Sequence, residues 1–65
     1  MKNRIEEIRS AKGIRQEELA RLLGVSRQTV SSLENGRYNP SITLAFKIAR
    51  LFEMTIEDVF VFEEG

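Results

Sequence analysis

The sequence predicts a compact all-α five-helix bundle and allows a short C-terminal β-strand. Three segments with helical spacing of apolar residues are each followed by a glycine, the residue that commonly ends a helix in the left-handed conformation (Gly13, Gly24 and Gly36). Side chains that favour helix starts stand ahead of four of the expected helices. Only the tail 59–64, VFVFEE, has the β-branched and aromatic composition of a strand, and it is too short for another helix.

The local signals give the expected helix bounds in order along the chain: 3–12, 16–23, 27–35, 42–52 and 56–60. Capping side chains open the first, third, fourth and fifth helices: Asn3 with Glu6, Ser26, Ser41 after Pro40, and Thr55 with Asp58. The second helix has Arg15 at its cap position, although Glu18 can still supply the second half of a capping box. The second helix therefore starts without the hydroxyl cap expected at the third, fourth and fifth.

The composition excludes several classes of function. There are no cysteines and no histidines, which excludes the usual zinc and haem ligands and a Cys or His catalytic centre. Acidic pairs such as Glu6–Glu7 lie on solvated faces by position. With no Cys or His beside them, we expect no enzyme activity, and we also expect no metal, no cofactor and no small-molecule ligand. The chain also lacks a secretory signal and an apolar run of about 18 residues. We expect one cytoplasmic domain over residues 1–65 that binds no membrane.

The net charge is zero, but the charges are unevenly distributed along the chain. Residues 9–50 hold eight Lys and Arg against three Glu, whereas residues 51–65 hold five acids and no base. A basic body with an acidic tail is a polarised molecule whose positive part could face phosphates. The alternative is ordinary solvated charge, and the distribution alone favours neither.

The second and third helices form a predicted helix-turn-helix unit. Their connection, LGVS at 23–26, is too tight for an antiparallel hairpin, and Gly24 supplies the backbone freedom for a steep crossing. On the third helix Val30 and Leu33 share one side, while the opposite side carries hydrogen-bonding residues flanked by Arg27 and Thr29 (Gln28, Ser31, Ser32 and Asn35). Such a face can approach DNA bases and reach their edges. The alternative is a merely polar surface helix.

The run GIRQEELARLLGVSRQTVSSLENGRYNPSITLAFKIARLF resembles the phage repressor and Cro type of helix-turn-helix domain, the XRE family. The similarity extends over residues 5–59. Its most specific parts are QEELA, the GVS turn, LENG, and NPS before an apolar helix ending in KIA. Together these motifs indicate the family far more specifically than any one of them does alone. The resemblance implies that the third helix lies in the major groove of double-stranded DNA while the second crosses the backbone.

The resemblance also implies roles for individual residues. Arg27, Gln28 and Ser32 match base-reading positions, and Thr29 and Ser31 join them as candidates from the same face. Gln16 matches a phosphate contact through its side chain and backbone amide. Further phosphate contacts are implied at and after the end of the third helix, at Asn35 and Arg37 with their neighbours Tyr38 and Asn39. Arg9 and Glu34 match an ion pair between the first and third helices, which we interpret as structural rather than catalytic.

Two positions depart from the family pattern. Arg15 stands where Ser or Thr is common, which suggests an added phosphate contact at the expense of a helix cap. Ser32 replaces the longer side chains often found at its position. We therefore expect the short Ser32 side chain to reach only a thymine methyl group or a water molecule.

The carboxyl-terminal third predicts a homodimer. Between Ile42 and Phe52 only Thr43, Lys47 and Arg50 are polar, so the fourth helix is apolar on nearly every other side. We expect residues 51–65 to contribute to dimerisation, with an interface made of Phe46, Phe52, Val59, Phe60, Val61 and Phe62. The tail can pair with its symmetry mate or fold back on its own amino terminus. The alternative is a monomer whose tail covers its own core.

These features predict a sequence-specific transcriptional regulator whose partners are double-stranded DNA and a second copy of the chain. A homodimer on a palindromic operator would act most simply as a repressor, because occupying a promoter blocks polymerase. The alternative comes from another class of function. It is an antitoxin-like or other protein-interaction module that keeps the same fold but binds a different protein.

Overall fold

The computed structural model describes residues 1–62, and five α-helices occupy most of that range. The helices are α1 (Ile5–Ala11), α2 (Gln16–Leu23), α3 (Arg27–Glu34), α4 (Ile42–Leu51) and α5 (Ile56–Val59). Two short strands, β1 (Lys2–Asn3) and β2 (Phe60–Val61), form an antiparallel pair in which Lys2 faces Val61 and Asn3 faces Phe60. None of the helices in this range is long and apolar enough to cross a membrane. The predicted helical class with a short C-terminal strand is confirmed.

Hydroxyl caps start three of the helices as the sequence predicts. The side chains of Ser26, Ser41 and Thr55 each accept a hydrogen bond from the backbone amide three residues later. At α5 the Asp58 carboxylate accepts the Thr55 amide in return, which completes a capping box. This backbone bond and the bond to the Thr55 side chain hold the pKa of Asp58 below its ordinary value. Arg15, at the cap position of α2, makes no side-chain cap bond.

The start of α1 differs from the prediction. Asn3 lies in β1, held extended opposite β2, so α1 begins at Ile5 instead of residue 3. Arg4 occupies the cap position and makes no side-chain cap bond. The Asn3 carboxamide oxygen accepts the Ile5 amide at 3.1 Å, but it does so from the strand. The predicted start with Asn3 as cap and Glu6 as its partner is therefore wrong.

The helix ends follow the glycine signals at three places and depart from them at a fourth. Gly13, Gly24 and Gly36 all have positive φ, at 72°, 74° and 79°. After α4, however, it is Glu53 that takes the left-handed conformation, with φ 57°. The amide of Met54 then donates to the Ala49 carbonyl at 2.9 Å and closes the helix end. A left-handed glutamate is uncommon, so no residue type in the sequence marks this end.

The hydrophobic core receives side chains from every helix. Its most deeply buried members are Phe52, Ile5, Leu19, Leu33, Ile48, Val30 and Val59. α2 and α3 pack on this core through Leu19, Leu23, Val30 and Leu33. The core thus fixes one side of the helix-turn-helix unit and leaves its other side to solvent.

The structure corrects half of the predicted dimer interface. Phe52, Val59 and Phe60 are 1%, 0% and 7% exposed and belong to the chain's own core. They are buried because α5 and β2 fold back along the amino terminus, where the Arg4 amide donates to the Val59 carbonyl at 2.7 Å. The tail therefore pairs with its own amino terminus, which is one of the two arrangements that the sequence left open.

The other predicted interface residues remain accessible. Phe46 is 49% exposed, Phe62 is 79% exposed and Val61 is half-buried. Residues 63–65, which belong to the predicted dimerisation segment, lie outside the described residues. A self-association surface must therefore use side chains such as Phe46 that the fold leaves uncovered.

Candidate nucleic-acid interface

The turn between α2 and α3 sets the orientation of the two helices. Gly24 has φ 74° and ψ 31°, a left-handed conformation that favours glycine. Its amide donates to the Arg21 carbonyl at 3.2 Å, and the Val25 amide donates to the Ala20 carbonyl at 3.0 Å. Ser26 then caps α3 immediately, so three residues separate the helices. This is the geometry of a helix-turn-helix unit.

α3 has one buried side and one polar side that solvent reaches. Val30 and Leu33 are 0% and 1% exposed. The five base-reading candidates all lie outside the core: Arg27 and Gln28 are exposed, and Thr29, Ser31 and Ser32 are half-buried. The accessible side therefore presents guanidinium, carboxamide and hydroxyl groups, the donors and acceptors that read base edges.

A shallow groove of about 230 Å³, which we call the α3 groove, runs beside this polar side. It is lined by Ser26, Gln28, Thr29, Ser32 and Tyr38. The structure thus brings three of the base-reading candidates together with Tyr38 from the loop after α3. Within the groove, the Thr29 hydroxyl lies 2.9 Å from the Ser26 hydroxyl, so Thr29 is tied to the helix cap. Ser31 does not line this groove.

A positively charged depression of about 290 Å³ lies at the amino ends of α2 and α3. We call it the arginine cleft, and it is lined by Arg9, Arg15, Gln16, Glu17 and Arg27. Arg15 precedes the first residue of α2, and Arg27 is the first residue of α3. The free backbone amides and the dipole at such helix ends favour anions. Arg15 and Arg27 therefore add their positive charges where the helix ends already favour an anion.

Beneath this cleft lies a buried polar network centred on Glu34. Arg9 Nε lies 2.7 Å from Glu34 Oε2, and the two side chains are 14% and 3% exposed. A second guanidinium nitrogen of Arg9 donates to the Ile14 carbonyl at 2.9 Å. Gln16 Nε2 donates to Glu34 Oε1 at 2.8 Å. The expected Arg9–Glu34 pair is thus part of a larger network that also orients Gln16.

The loop after α3 carries the other phosphate candidates. The Asn35 side-chain oxygen accepts the Arg37 amide at 3.1 Å, so Asn35 shapes the loop as well as facing solvent. Arg37, Tyr38 and Asn39 are exposed. Asn39 Oδ1 accepts a hydrogen bond from the Met1 amino nitrogen at 2.9 Å. The loop therefore presents one cation and three neutral polar side chains.

Two contacts near this surface were missed at the level of sequence. For Gln16 only a phosphate contact was expected, and its side-chain nitrogen in addition donates to Glu34, eighteen positions away. Asn3 was expected to cap α1, whereas its nitrogen donates to the Leu33 carbonyl at 2.7 Å, thirty positions away. Helical periodicity and capping rules concern neighbours within about four residues, so no signal of that kind could reveal either contact.

The fold, the tight α2–α3 turn and the polar side of α3 together define a helix-turn-helix DNA-binding protein. A family model described as helix-turn-helix matches residues 5–59. The chain belongs to the XRE family of helix-turn-helix transcriptional regulators. The family that the sequence motifs resemble is thereby confirmed.

Individual relatives agree with this assignment. The chain is 53% identical over 64 residues to an uncharacterized HTH-type transcriptional regulator of Archaeoglobus fulgidus, covering 98% of this chain and 91% of that one. It is 50% identical to an uncharacterized HTH-type transcriptional regulator of Methanocaldococcus jannaschii, covering 98% and 97%. Among solved structures, the restriction-modification controller protein C.AhdI from Aeromonas hydrophila has a TM-score of 0.77 at 36% identity, covering 85% of this chain and 83% of that one.

Proposed function

We propose that this regulator is a sequence-specific repressor that binds a palindromic operator in the cytoplasm as a homodimer. The observation that carries the proposal is made on the outer side of α3. Hydrogen-bonding side chains are accessible there, and the acidic side chain of this helix is buried instead of facing solvent. Glu34 is the acid of α3, and it is buried against Arg9. The face that meets DNA thus carries no uncompensated negative charge from α3, which would otherwise repel phosphates.

The candidate residues divide by role according to their position. Base reading is assigned to the α3 residues Arg27, Gln28 and Ser32, with lesser contributions from Thr29 and Ser31. Phosphate contact is assigned to the arginine cleft and to the loop after α3, namely Gln16, Arg15, Asn35, Arg37, Tyr38 and Asn39. Occupancy of a promoter by such a protein blocks polymerase, so binding suffices for repression and we assign no catalysis.

Selection from a random pool of DNA duplexes tests the proposed function. We expect a two-fold symmetric motif whose half-sites are about 34–36 Å apart, the spacing that places two recognition helices on one side of the duplex. A pool that shows no enrichment overturns sequence-specific binding. An enriched motif without symmetry overturns the homodimer on its operator but leaves base reading by α3 intact.

Substitutions on α3 and on the following loop should change different properties of DNA binding. Gln28→Ala should relax preference at one position of each half-site at a cost of about 1–3 kcal/mol. Arg37→Ala should weaken binding to all DNA sequences alike. It should also reduce the salt slope, the change of the logarithm of the binding constant with the logarithm of the salt concentration, by about one. Lys47→Ala is the control, because Lys47 is an exposed cation on α4 that lines neither the α3 groove nor the arginine cleft. An unchanged motif in Gln28→Ala would show that α3 is not the reader.

For the homodimer we propose the groove between α4 and α5 as the contact surface. It is lined by Phe46, Ala49, Arg50, Met54, Thr55, Ile56 and Glu57, with a volume of about 380 Å³. Phe46 and Met54 are 49% and 37% exposed there, and Ile42, which lies on α4 with Phe46, is 68% exposed. The groove also holds one cation and one acid, Arg50 and Glu57. Around a two-fold axis, Arg50 of each copy can face Glu57 of the other.

Sedimentation of variants with an introduced or a reversed charge tests this surface. Phe46→Glu, Arg50→Glu and Glu57→Arg should each raise the dissociation constant of the dimer at least about tenfold, and the Arg50→Glu/Glu57→Arg double variant should recover dimerisation. Leu22→Glu is the matched control, since Leu22 is 53% exposed on α2 and does not line the groove. A wild-type chain that stays monomeric at micromolar concentration overturns the dimer and favours the antitoxin-like alternative, in which another protein occupies the groove.

A further inference from the structure

Asn3 connects three parts of the fold through one side chain. Its Nδ2 donates to the Leu33 carbonyl at 2.7 Å, and its Oδ1 accepts the Ile5 amide at 3.1 Å. Asn3 itself is half-buried in β1, where it faces Phe60 of β2. The carboxamide thus joins the terminal strand pair to the start of α1 and to the last turn of α3.

The last turn of α3 determines how the following loop leaves the helix. The Leu33 carbonyl accepts the Gly36 amide at 3.1 Å in addition to Asn3, so both of its acceptor positions are used. The Ser32 carbonyl accepts the Arg37 amide at 3.0 Å. The amides of Gly36 and Arg37 are therefore held by two carbonyls at the end of α3, and Asn3 binds one of these carbonyls.

We propose that Asn3 is a positioning residue for DNA binding. By fixing the Leu33 carbonyl, it holds the end of α3 and the loop 35–39 where Arg37 and its neighbours meet phosphates. This inference rests on the proposed DNA-binding function. Asn3 lines neither the α3 groove nor the arginine cleft, but it lines a separate depression with Asn35 and Gly36 of the loop. We assign its effect on DNA to the position of that loop.

The strand pair gives this contact its rigidity. Lys2 and Asn3 pair with Val61 and Phe60, and the adjacent Arg4 amide donates to the Val59 carbonyl at 2.7 Å. Phe60 is 7% exposed and so anchors β2 in the core. The carboxyl-terminal strand thereby supports the DNA-facing loop, although the two are more than twenty residues apart in the chain.

Two substitutions separate the positioning role of Asn3 from a local role at α1. Asn3→Ala removes the bonds to Leu33 and Ile5, together with a longer one of 3.4 Å from Nδ2 to the Met1 carbonyl. Asn3→Asp keeps an oxygen that can accept the Ile5 amide and adds a negative charge that suits a helix start, but it cannot donate to Leu33. If Asn3 served only α1, the aspartate variant would behave like the wild type. If Asn3 positions α3, the aspartate variant should be at least as impaired as the alanine variant.

DNA binding at several salt concentrations gives the first readout. Both variants should bind the selected operator about tenfold more weakly, with the salt slope reduced by about one and the preferred sequence unchanged. Ile8→Val is the control for a general loss of stability, because Ile8 is a buried core residue of α1 that lines neither the α3 groove nor the arginine cleft. It should leave affinity and salt slope at their wild-type values.

Amide hydrogen exchange without DNA gives the second readout. The amides of Gly36 and Arg37 should exchange faster in both Asn3 variants and at the wild-type rate in Ile8→Val. Wild-type exchange at these amides, or an unchanged salt slope in the two variants, overturns the positioning role while the proposed function stands. A wild-type chain that binds no DNA overturns the proposed function and, with it, the role of Asn3.

Discussion

Removing either partner of the Arg9–Glu34 pair is expected to lower the free energy of unfolding by about 3–5 kcal/mol. The side chains are 14% and 3% exposed, so the partner left behind is a buried charge without its counter-ion. A chain of 65 residues has a total stability of only about 3–10 kcal/mol on the usual per-residue scale. Glu34→Gln or Arg9→Met should therefore remove a large share of it.

A double-mutant cycle in urea unfolding measures this coupling. The Arg9→Met/Glu34→Gln double variant should lose much less than the sum of the two single losses, because neither charge is left unpaired. The exposed pair Arg4–Glu7, with side chains 49% and 68% exposed, is the control. Glu7→Gln should change stability little, since solvent screens such a pair. Strictly additive losses at Arg9 and Glu34 would show that the two residues do not interact.

Phe52→Ala is expected to lower the free energy of unfolding by about 3–5 kcal/mol, because truncating a buried phenylalanine leaves a cavity in the core. Phe52 is 1% exposed within a single chain, whereas Phe46, six positions earlier on the same helical segment, is 49% exposed. The substitution acts on the folding of the chain itself. Phe46→Ala, by contrast, should act mainly on association.

Urea unfolding over a range of protein concentrations separates these two effects. In samples dilute enough to be monomeric, Phe52→Ala should keep its full loss of stability, and Phe46→Ala should be close to wild type. The milder Phe52→Leu, which fills most of the same volume, keeps the comparison measurable if Phe52→Ala does not fold. A loss at Phe52 that disappears on dilution would place Phe52 at an interface instead of in the core.

Local signals in the sequence were sufficient for the number and order of the helices and for the turn between α2 and α3, although they misplaced the start of α1. Ser26, Ser41 and Thr55 cap the helices that they were expected to cap, and Gly24 has the positive φ that the turn requires. Capping and glycine conformations depend on atoms a few residues apart. The polar side of α3 was also predictable, because the 3.6-residue period separates Val30 and Leu33 from the residues opposite.

The carboxyl-terminal residues show where such reasoning fails. An apolar side chain in the sequence is compatible with both a core and an interface, since both remove it from water. The sequence therefore assigned Phe52, Val59 and Phe60 to a dimer contact, and the fold places them in the core of the single chain. The choice depended on β2 reaching β1, a pairing between opposite ends of the chain.

What the sequence determined alone was the set of helices, the helix-turn-helix unit and the family, since each follows from residues near one another or from a contiguous motif. The tertiary structure decided which polar groups meet: Glu34 binds both Arg9 and Gln16, and Asn3 reaches the end of α3. These partners are 18 to 30 positions apart. Only the packing of α1, α2 and β1 around α3 brings them within hydrogen-bonding distance, because such bonds form only when the donor and acceptor atoms lie about 3 Å apart.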